Sequence, residues 1–224
     1  KAEQVSSGEM PFLEYGAEPL LKKALKANKL HISTSLSEVS SAKYIIITIG
    51  TPVDEYLNPR LKSFLDLVER IRPHIKTDQT IIIRSTVYPG TCEQSLSVLG
   101  KGEPWKIAYC PERIVQGYAI KELNEIPQII GALSEEAYES AAELFERISP
   151  KIIKTSLGEA ELVKLFSNAW RYVQFALGNQ FYMISASLGL DYESIRRAMR
   201  DSYTRSNVPS AGFAAGPCLL KDTM

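Results

Sequence analysis

Histidine is almost missing from this chain: His31 and His74 are the only two among 224 residues. A His-based catalytic triad or a histidine metal centre therefore has few candidates. Cysteine is scarce as well. Cys92, Cys110 and Cys218 are odd in number and far apart, which argues against a disulfide framework or a thiolate metal cluster and fits a reducing cytoplasm. Neither sign of charge is in excess, since 26 Lys and Arg balance 26 Asp and Glu. No field gathers nucleic acid or an anionic membrane surface, so neither is expected as a partner. Long apolar runs are also lacking; Ile81-Ile82-Ile83 is typical, far below the roughly 20 residues that span a bilayer. No signal-like segment opens the chain at Lys1. Both ends look cut, so the sequence reads as an internal piece of a longer protein.

What is present is 45% hydrophobic, enough for one large domain or one and a half. Leu20, Leu21, Ala24 and Leu25 form an apolar stripe at helical spacing after Glu18-Pro19, and a short strand is expected at His31-Ile32-Ser33. Lys43-Tyr44-Ile45-Ile46-Ile47-Thr48-Ile49 has the β-branched composition of a strand buried on both faces of a parallel sheet. The loop Gly50-Thr51-Pro52-Val53-Asp54-Glu55 follows, where open α/β sheets bind ligands. Asn58-Pro59 offers a cap and first residue to a helix with Leu61, Phe64, Leu65, Val68 and Ile71 on its core face. The pattern repeats. Thr80-Ile81-Ile82-Ile83-Arg84 is a second buried strand, Ser85 to Gly90 its loop, and Thr91 with Gln94 a capping box for the next helix. Strands at Lys106-Ile107-Ala108-Tyr109 and Gln128-Ile129-Ile130-Gly131, a helix capped by Ser134, and Ile152-Ile153 complete an alternation that argues for a doubly wound α/β sheet over residues 1–155. The loops ending at Glu55, Gly90 and Arg113 then open on one edge.

A different element begins at the capping box Ser156-x-x-Glu159 and runs without proline to about Leu188. It is apolar nearly all round, which predicts a buried helix packed on its own domains and on a partner subunit. Lys164 and Asn168 interrupt it at i, i+4, with Arg171 one turn further on the same face. A buried ammonium and amide require partners, and a ligand oxygen suits both. Gly189 stops this helix and Asp191 caps another. Near the end, Gly212-Phe213-Ala214-Ala215-Gly216-Pro217-Cys218-Leu219-Leu220-Lys221-Asp222 sets a thiol in an open small-residue loop, with Asp222 four residues on. A buried structural thiol is the plainer alternative. Together with Thr86 and Glu112 at strand ends, however, these groups are what thiol-dependent oxidation of an aldehyde needs. The α/β sheet is the natural place for the nicotinamide dinucleotide that such chemistry requires.

The five stretches Gly50-Thr51-Pro52-Val53-Asp54, Ser85-Thr86-Val87-Tyr88-Pro89-Gly90, Pro111-Glu112-Arg113-Ile114, 161–168 and 216–222 resemble, in order, those of the nucleotide-sugar 6-dehydrogenases. That resemblance implies a Rossmann-like domain over 1–155, then a long central helix and a helical dimerisation domain over 156–224. It implies a homodimer and oxidation of a nucleotide sugar, a UDP-sugar first, from C6 alcohol to acid with two NAD per turnover. By the same likeness Cys218 is the nucleophile, and Lys164 and Asn168 hold the C6 oxygen. Asp222 and Thr86 position a water, and Glu112 assists thioester hydrolysis. Thr51, Pro52, Ser85 and Thr86 lie along the cofactor; Glu112, Arg113, Ile114, Lys164, Asn168, Arg171 and Gly216 line the sugar pocket. The chain departs from the pattern at Ala215, Pro217 and Cys110, and Arg171 leans toward the N-acetylhexosamine branch. It also lacks the family's N-terminal β-α-β unit with its G-x-G-x-x-G loop and the C-terminal nucleotide-binding domain. Two other readings stay open: a β-hydroxyacid dehydrogenase, which needs no cysteine, and an inert dimerisation fragment.

Overall fold

The computed structural model describes residues 1–51 and 60–212. Two short helices, α1 (Ala2–Ser6) and α2 (Ala17–Lys26), come first. The alternation then runs β1 (Tyr44–Ile47), α3 (Leu61–Ile71), β2 (Thr80–Ile83), α4 (Thr91–Leu99), β3 (Lys106–Tyr109), α5 (Ala119–Glu122), β4 (Gln128–Ala132), α6 (Glu135–Phe145) and β5 (Ile152–Ser156). The long helix α7 (Leu157–Ser187) and α8 (Tyr192–Arg200) follow. The strands lie in the order β1-β2-β3-β4-β5. Tyr44 pairs with Thr80 and Ile83 with Tyr109, all parallel, so the loops after β1, β2 and β3 share one edge, as expected.

Three expectations are corrected. The sheet is not parallel throughout: β4 runs antiparallel to β3, through Ala108–Ala132 and Tyr109–Gly131, and β5 follows β4. The 110–127 connection, which carries only the four-residue α5, therefore begins and ends at the ligand edge. His31-Ile32-Ser33 forms no strand; Ser33 instead accepts a bond from the Ser35 backbone in a local turn. Ile46 is 45% exposed because β1 ends the strand order, whereas every residue of β2 is buried.

One face of the sheet meets α6. There Ile82, Ala108, Cys110 and Ile130 pack with Ala141, Ala142 and Phe145. Strand alternation turns Ile81, Ile83 and Ile107 to the other face, and the buried Phe64, Val68 and Ile71 make the core side of α3 as read from sequence. Gly131 is where β4 meets the start of α7: a Cβ there would lie 2.5 Å from the Ser156 carbonyl oxygen and 2.6 Å from the Ala160 Cβ. That contact ties the first turn of α7 to the sheet. Residues 1–51 with 60–162 accordingly form one compact unit and 163–212 another, with the division inside α7 after Leu162.

The ends of α7 follow the sequence. Glu159 Oε2 accepts from the Thr155 hydroxyl at 2.6 Å and the Ser156 N–H at 2.8 Å, and the Glu159 N–H donates to Ser156 Oγ at 3.3 Å. This is the reciprocal capping box. The Thr155 hydroxyl first, then the Ser156 N–H, hold the Glu159 carboxyl at about 2, below its ordinary 4.5. A depressed folded value contributes stability above about 4.5 that is lost as pH falls toward 2. Glu159→Gln should therefore flatten the fall of the thermal midpoint between those pH values, followed by circular dichroism. At the other end Leu190 N–H donates to Ser185 O and Gly189 N–H to Ala186 O, with Gly189 at φ +68°. This is a Schellman stop. Asp191 then accepts from Glu193 and Ser194 N–H at 3.1 Å each.

Along α7 the buried stripe holds Glu161, Leu165, Asn168, Gly178 and Ser185, while Val173, Leu177 and Ile184 are exposed, with Phe166 at 65% and Trp170 at 62%. The buried stripe is the part of the expected cover that the described residues supply. An apolar helix wider than one stripe needs cover on a second side, which the sequence reading assigned to a partner subunit.

Candidate active site

Side chains at the carboxyl ends of β1 to β3 organise the candidate site. Ser85 is buried, and its hydroxyl donates to Ile49 O at 2.7 Å, closing the end of β1 against β2. Ser85 therefore turns only its backbone to any ligand. Thr51 Oγ1 donates to Thr86 O at 2.6 Å, joining the first two loops. Both threonines are half-buried.

The third loop is held by its own carboxylate. Glu112 Oε1 accepts from the N–H groups of Arg113 and Ile114 at 2.8 and 3.0 Å, and Glu112 Oε2 is ion-paired with the Arg84 guanidinium. Arg84 also donates to Gln128 Oε1 at 2.9 Å and lies 5.0 Å from the centre of the Phe145 ring. Burial lowers its affinity for a proton below the ordinary arginine value. Its charge is kept, and a carboxylate, an amide and a ring face compensate the lost water. Arg113 is fixed by a bond to Pro127 O. Behind this loop lies a cavity of about 10 Å³, lined by Pro111, Glu112, Arg113, Ile114, Gln128 and Phe145 among others. It has room for about one water.

The capping box expected at Thr91 and Gln94 is not formed. Gly90, at φ +85°, is the cap residue of α4 and makes no side-chain cap bond, and Thr91 donates to Tyr88 O at 2.6 Å. The acceptor comes from α7: Glu161, 2% exposed, takes the Gly90 N–H at 2.7 Å and the Cys92 N–H at 3.0 Å. A carboxylate at a helix N-terminus satisfies orphan donors and complements the helix dipole, and it outcompetes a threonine hydroxyl. Burial first, and the Glu161 carboxylate second, push the Cys92 thiol well above the ordinary thiol range. Burial raises Cys110 to about 12, against an opposing pull from Arg84.

On α7, Asn168 is 7% exposed; Lys164 is half-buried and Arg171 exposed. The i, i+4 spacing puts the first two on one face. Pro52, Gly216, Cys218 and Asp222 lie outside the described residues. Sequence reasoning missed Arg84, Gln128 and Glu161, although a charged residue ending an isoleucine run and an acid inside an apolar helix were signals for two of them. The pyrophosphate-binding glycine motif is not in these 224 residues.

The NAD binding domain of the UDP-glucose/GDP-mannose dehydrogenase family matches residues 1–149, and the central domain of the same family matches residues 158–224. A UDP-N-acetyl-D-mannosamine dehydrogenase of Methanocaldococcus jannaschii is 33% identical over 202 residues, covering 88% of this chain and 46% of that protein. A UDP-glucose 6-dehydrogenase of Bacillus subtilis is 29% identical, covering 100% of this chain and 52% of its own length. The solved UDP-N-acetylmannosamine dehydrogenase structure from Pyrococcus horikoshii superposes with a TM-score of 0.91 at 27% identity, over 99% of this chain and 54% of that one. The chain thus spans about half the length of the relatives it matches. The NAD domain match makes NAD the cofactor of this fold. With one family's two adjoining domains matching in order on a mixed α/β sheet and a long helix, the chain belongs to the UDP-glucose/GDP-mannose dehydrogenase family.

Proposed function

We propose that the full-length polypeptide carrying this chain oxidises the C6 alcohol of a UDP-sugar to the acid in two steps, through a covalent link to Cys218. The observation that carries the reading is Asn168, buried in a helix that is apolar on its outside, with Lys164 one turn before it. An amide and an ammonium so placed suit an oxygen that becomes negative during reaction. The buried Cys92 and Cys110 are held in the thiol form, which supports Cys218 as the nucleophile. Relatives named for UDP-N-acetyl-D-mannosamine and UDP-glucose support the sugar class.

In this reading the Cys218 thiolate adds to the C6 aldehyde carbon, and the carbonyl electron pair moves onto oxygen, where Lys164 and Asn168 donate to it. NAD, when bound beside Thr51, Pro52, Ser85 and Thr86, supplies a hydride acceptor for each oxidation. The thioester so reached is attacked by a water that Asp222 and Thr86 hold, and the thiolate leaves as the acid forms. Glu112, with three donors on its carboxylate, orients this step and shapes the sugar-facing loop with Arg113 and Ile114. Gly216 and Arg171 complete the substrate contacts. Limiting UDP-sugar with excess NAD should yield two NADH per sugar, counted by absorbance; one NADH overturns the reading.

We also infer a homodimer. The exposed Phe166, Trp170, Val173, Leu177 and Ile184 lie at the spacing of a single helical face, and a second copy of α7 covers that face with like residues. Light scattering should give twice the chain mass, and Trp170→Glu should give the monomer.

A further inference from the structure

We propose that Glu14 is a positioning residue for the sugar-facing loop, holding its far part through the backbone N–H groups of Gly117 and Ala119. This rests on the reading of Glu112, Arg113 and Ile114 as sugar contacts. Glu14 Oε2 accepts from the Gly117 N–H at 2.9 Å, and Glu14 Oε1 accepts from the Ala119 N–H at 2.6 Å. The next residue adds a backbone bond, from the Tyr15 N–H to Gly117 O at 3.1 Å, and its ring meets that of Tyr118 at 5.6 Å. One carboxylate thus grips two backbone groups that lie 103 and 105 residues further along the chain. Glu14 has a firm seat for this, three residues before α2, whose Ala17 and Leu21 are buried.

The grip reaches the sugar-facing residues through a chain of bonds. The Tyr118 N–H donates to Val115 O at 3.1 Å, closing a turn over 115–118, and Glu122 Oε2 takes the Val115 N–H at 2.6 Å. Arg113 and Ile114 come directly before, with their N–H groups on Glu112. The loop is therefore held on both sides of them: at Glu112 by the Arg84 guanidinium, and at Gly117 and Ala119 by Glu14. Glu122 belongs to the connection itself, so its bond stiffens the loop without placing it, whereas Glu14 belongs to the chain ahead of the sheet. Bonds to an ionised carboxylate are about twice as strong as neutral ones. Loss of the far anchor lowers the fraction of loops in the binding-competent form, and the apparent affinity for the sugar falls with that fraction.

The test uses Glu14→Ala and the milder Glu14→Gln, which keeps one acceptor oxygen, in the full-length polypeptide. Tyr15→Ala separates the carboxylate from the ring contact, and Glu14→Gln carries the test alone if Glu14→Ala does not fold. Trypsin cuts after Arg113 and Lys121, mapped by mass spectrometry, report opening of the loop without turnover. Glu14→Ala should speed both cuts at least about tenfold, Glu14→Gln less, and Tyr15→Ala no more than about twofold. In turnover, Glu14→Ala should raise KM for the UDP-sugar at least about fivefold, with kcat and KM for NAD within about twofold. A general loss of stability would not separate the two KM values. Unchanged cutting in both Glu14 variants overturns the proposal, and so does equal acceleration in Tyr15→Ala. Faster cutting with the sugar KM unchanged also overturns it, because Glu14 then supports the loop without placing it for the sugar. A wild type that oxidises no UDP-sugar instead removes the functional reading, and the assignment of Glu14 to sugar binding with it, while the trypsin rates still decide whether Glu14 holds the loop.

Discussion

Cys218→Ser should stop acid formation in the full-length polypeptide, lowering NADH production from nucleotide sugar by about 10³-fold or more. A cysteine is partly thiolate near neutral pH, whereas a serine hydroxyl without a base beside it is not ionised. Serine also forms an ester in place of a thioester, a poorer acyl donor to water. Replacing Cys110 by Ala removes a buried thiol raised to about 12 and should leave two NADH per sugar. A β-hydroxyacid dehydrogenase performs one oxidation without a thiol, and would keep its rate in Cys218→Ser. Full activity in that variant rejects the covalent route.

Glu161→Ala should be the most damaging change to stability among the described polar residues, by about 2–4 kcal/mol in urea denaturation. The substitution strands two backbone donors, Gly90 N–H and Cys92 N–H, at a site where the carboxylate is 2% exposed. It also leaves a cavity against α4. Glu161→Gln keeps one acceptor oxygen but turns an NH₂ group toward a backbone N–H, so an intermediate loss is expected. A second readout separates capping from packing. The Cys92 thiol is raised by burial and then by the Glu161 carboxylate, so Glu161→Gln should let it react faster with a thiol reagent at pH 9, with no change in the fold by circular dichroism. An unchanged Cys92 rate would show that the carboxylate does not act on that thiol.

Local signals carried much of the fold. Isoleucine runs became β1 and β2, Ser134 accepts from Ala137 N–H at 3.2 Å as the cap of α6, and Ser156 with Glu159, Gly189 and Asp191 bound α7 and α8 where their chemistry required. Each of these depends on neighbours within a few residues. The strand expected at residues 31–33 failed because a strand exists only with a partner, and no pairing of that segment occurs among the described residues. Thr91 with Gln94 satisfied the spacing rule for a capping box and lost to a stronger acceptor 70 residues away, Glu161.

The candidate site was legible in the same uneven way. Glu112, Thr86, Lys164 and Asn168 stand out as polar groups at strand ends or inside an apolar helix. Arg84 and Gln128 did not, because nothing in the isoleucine run reveals that its terminal guanidinium meets the Glu112 loop and the Phe145 ring.

By itself, the sequence determined the bounds of α7 and the cap of α6, and placed the five strands, since caps, β-branched runs and glycine stops act over one turn or one strand. Only the tertiary structure decided that β4 reverses direction, that Glu161 caps α4, that Asn179 holds Gly212, and which stripe of α7 the described residues bury. Those outcomes come from contacts between residues far apart in the chain, where the buried group with the best-placed partner prevails over local preference.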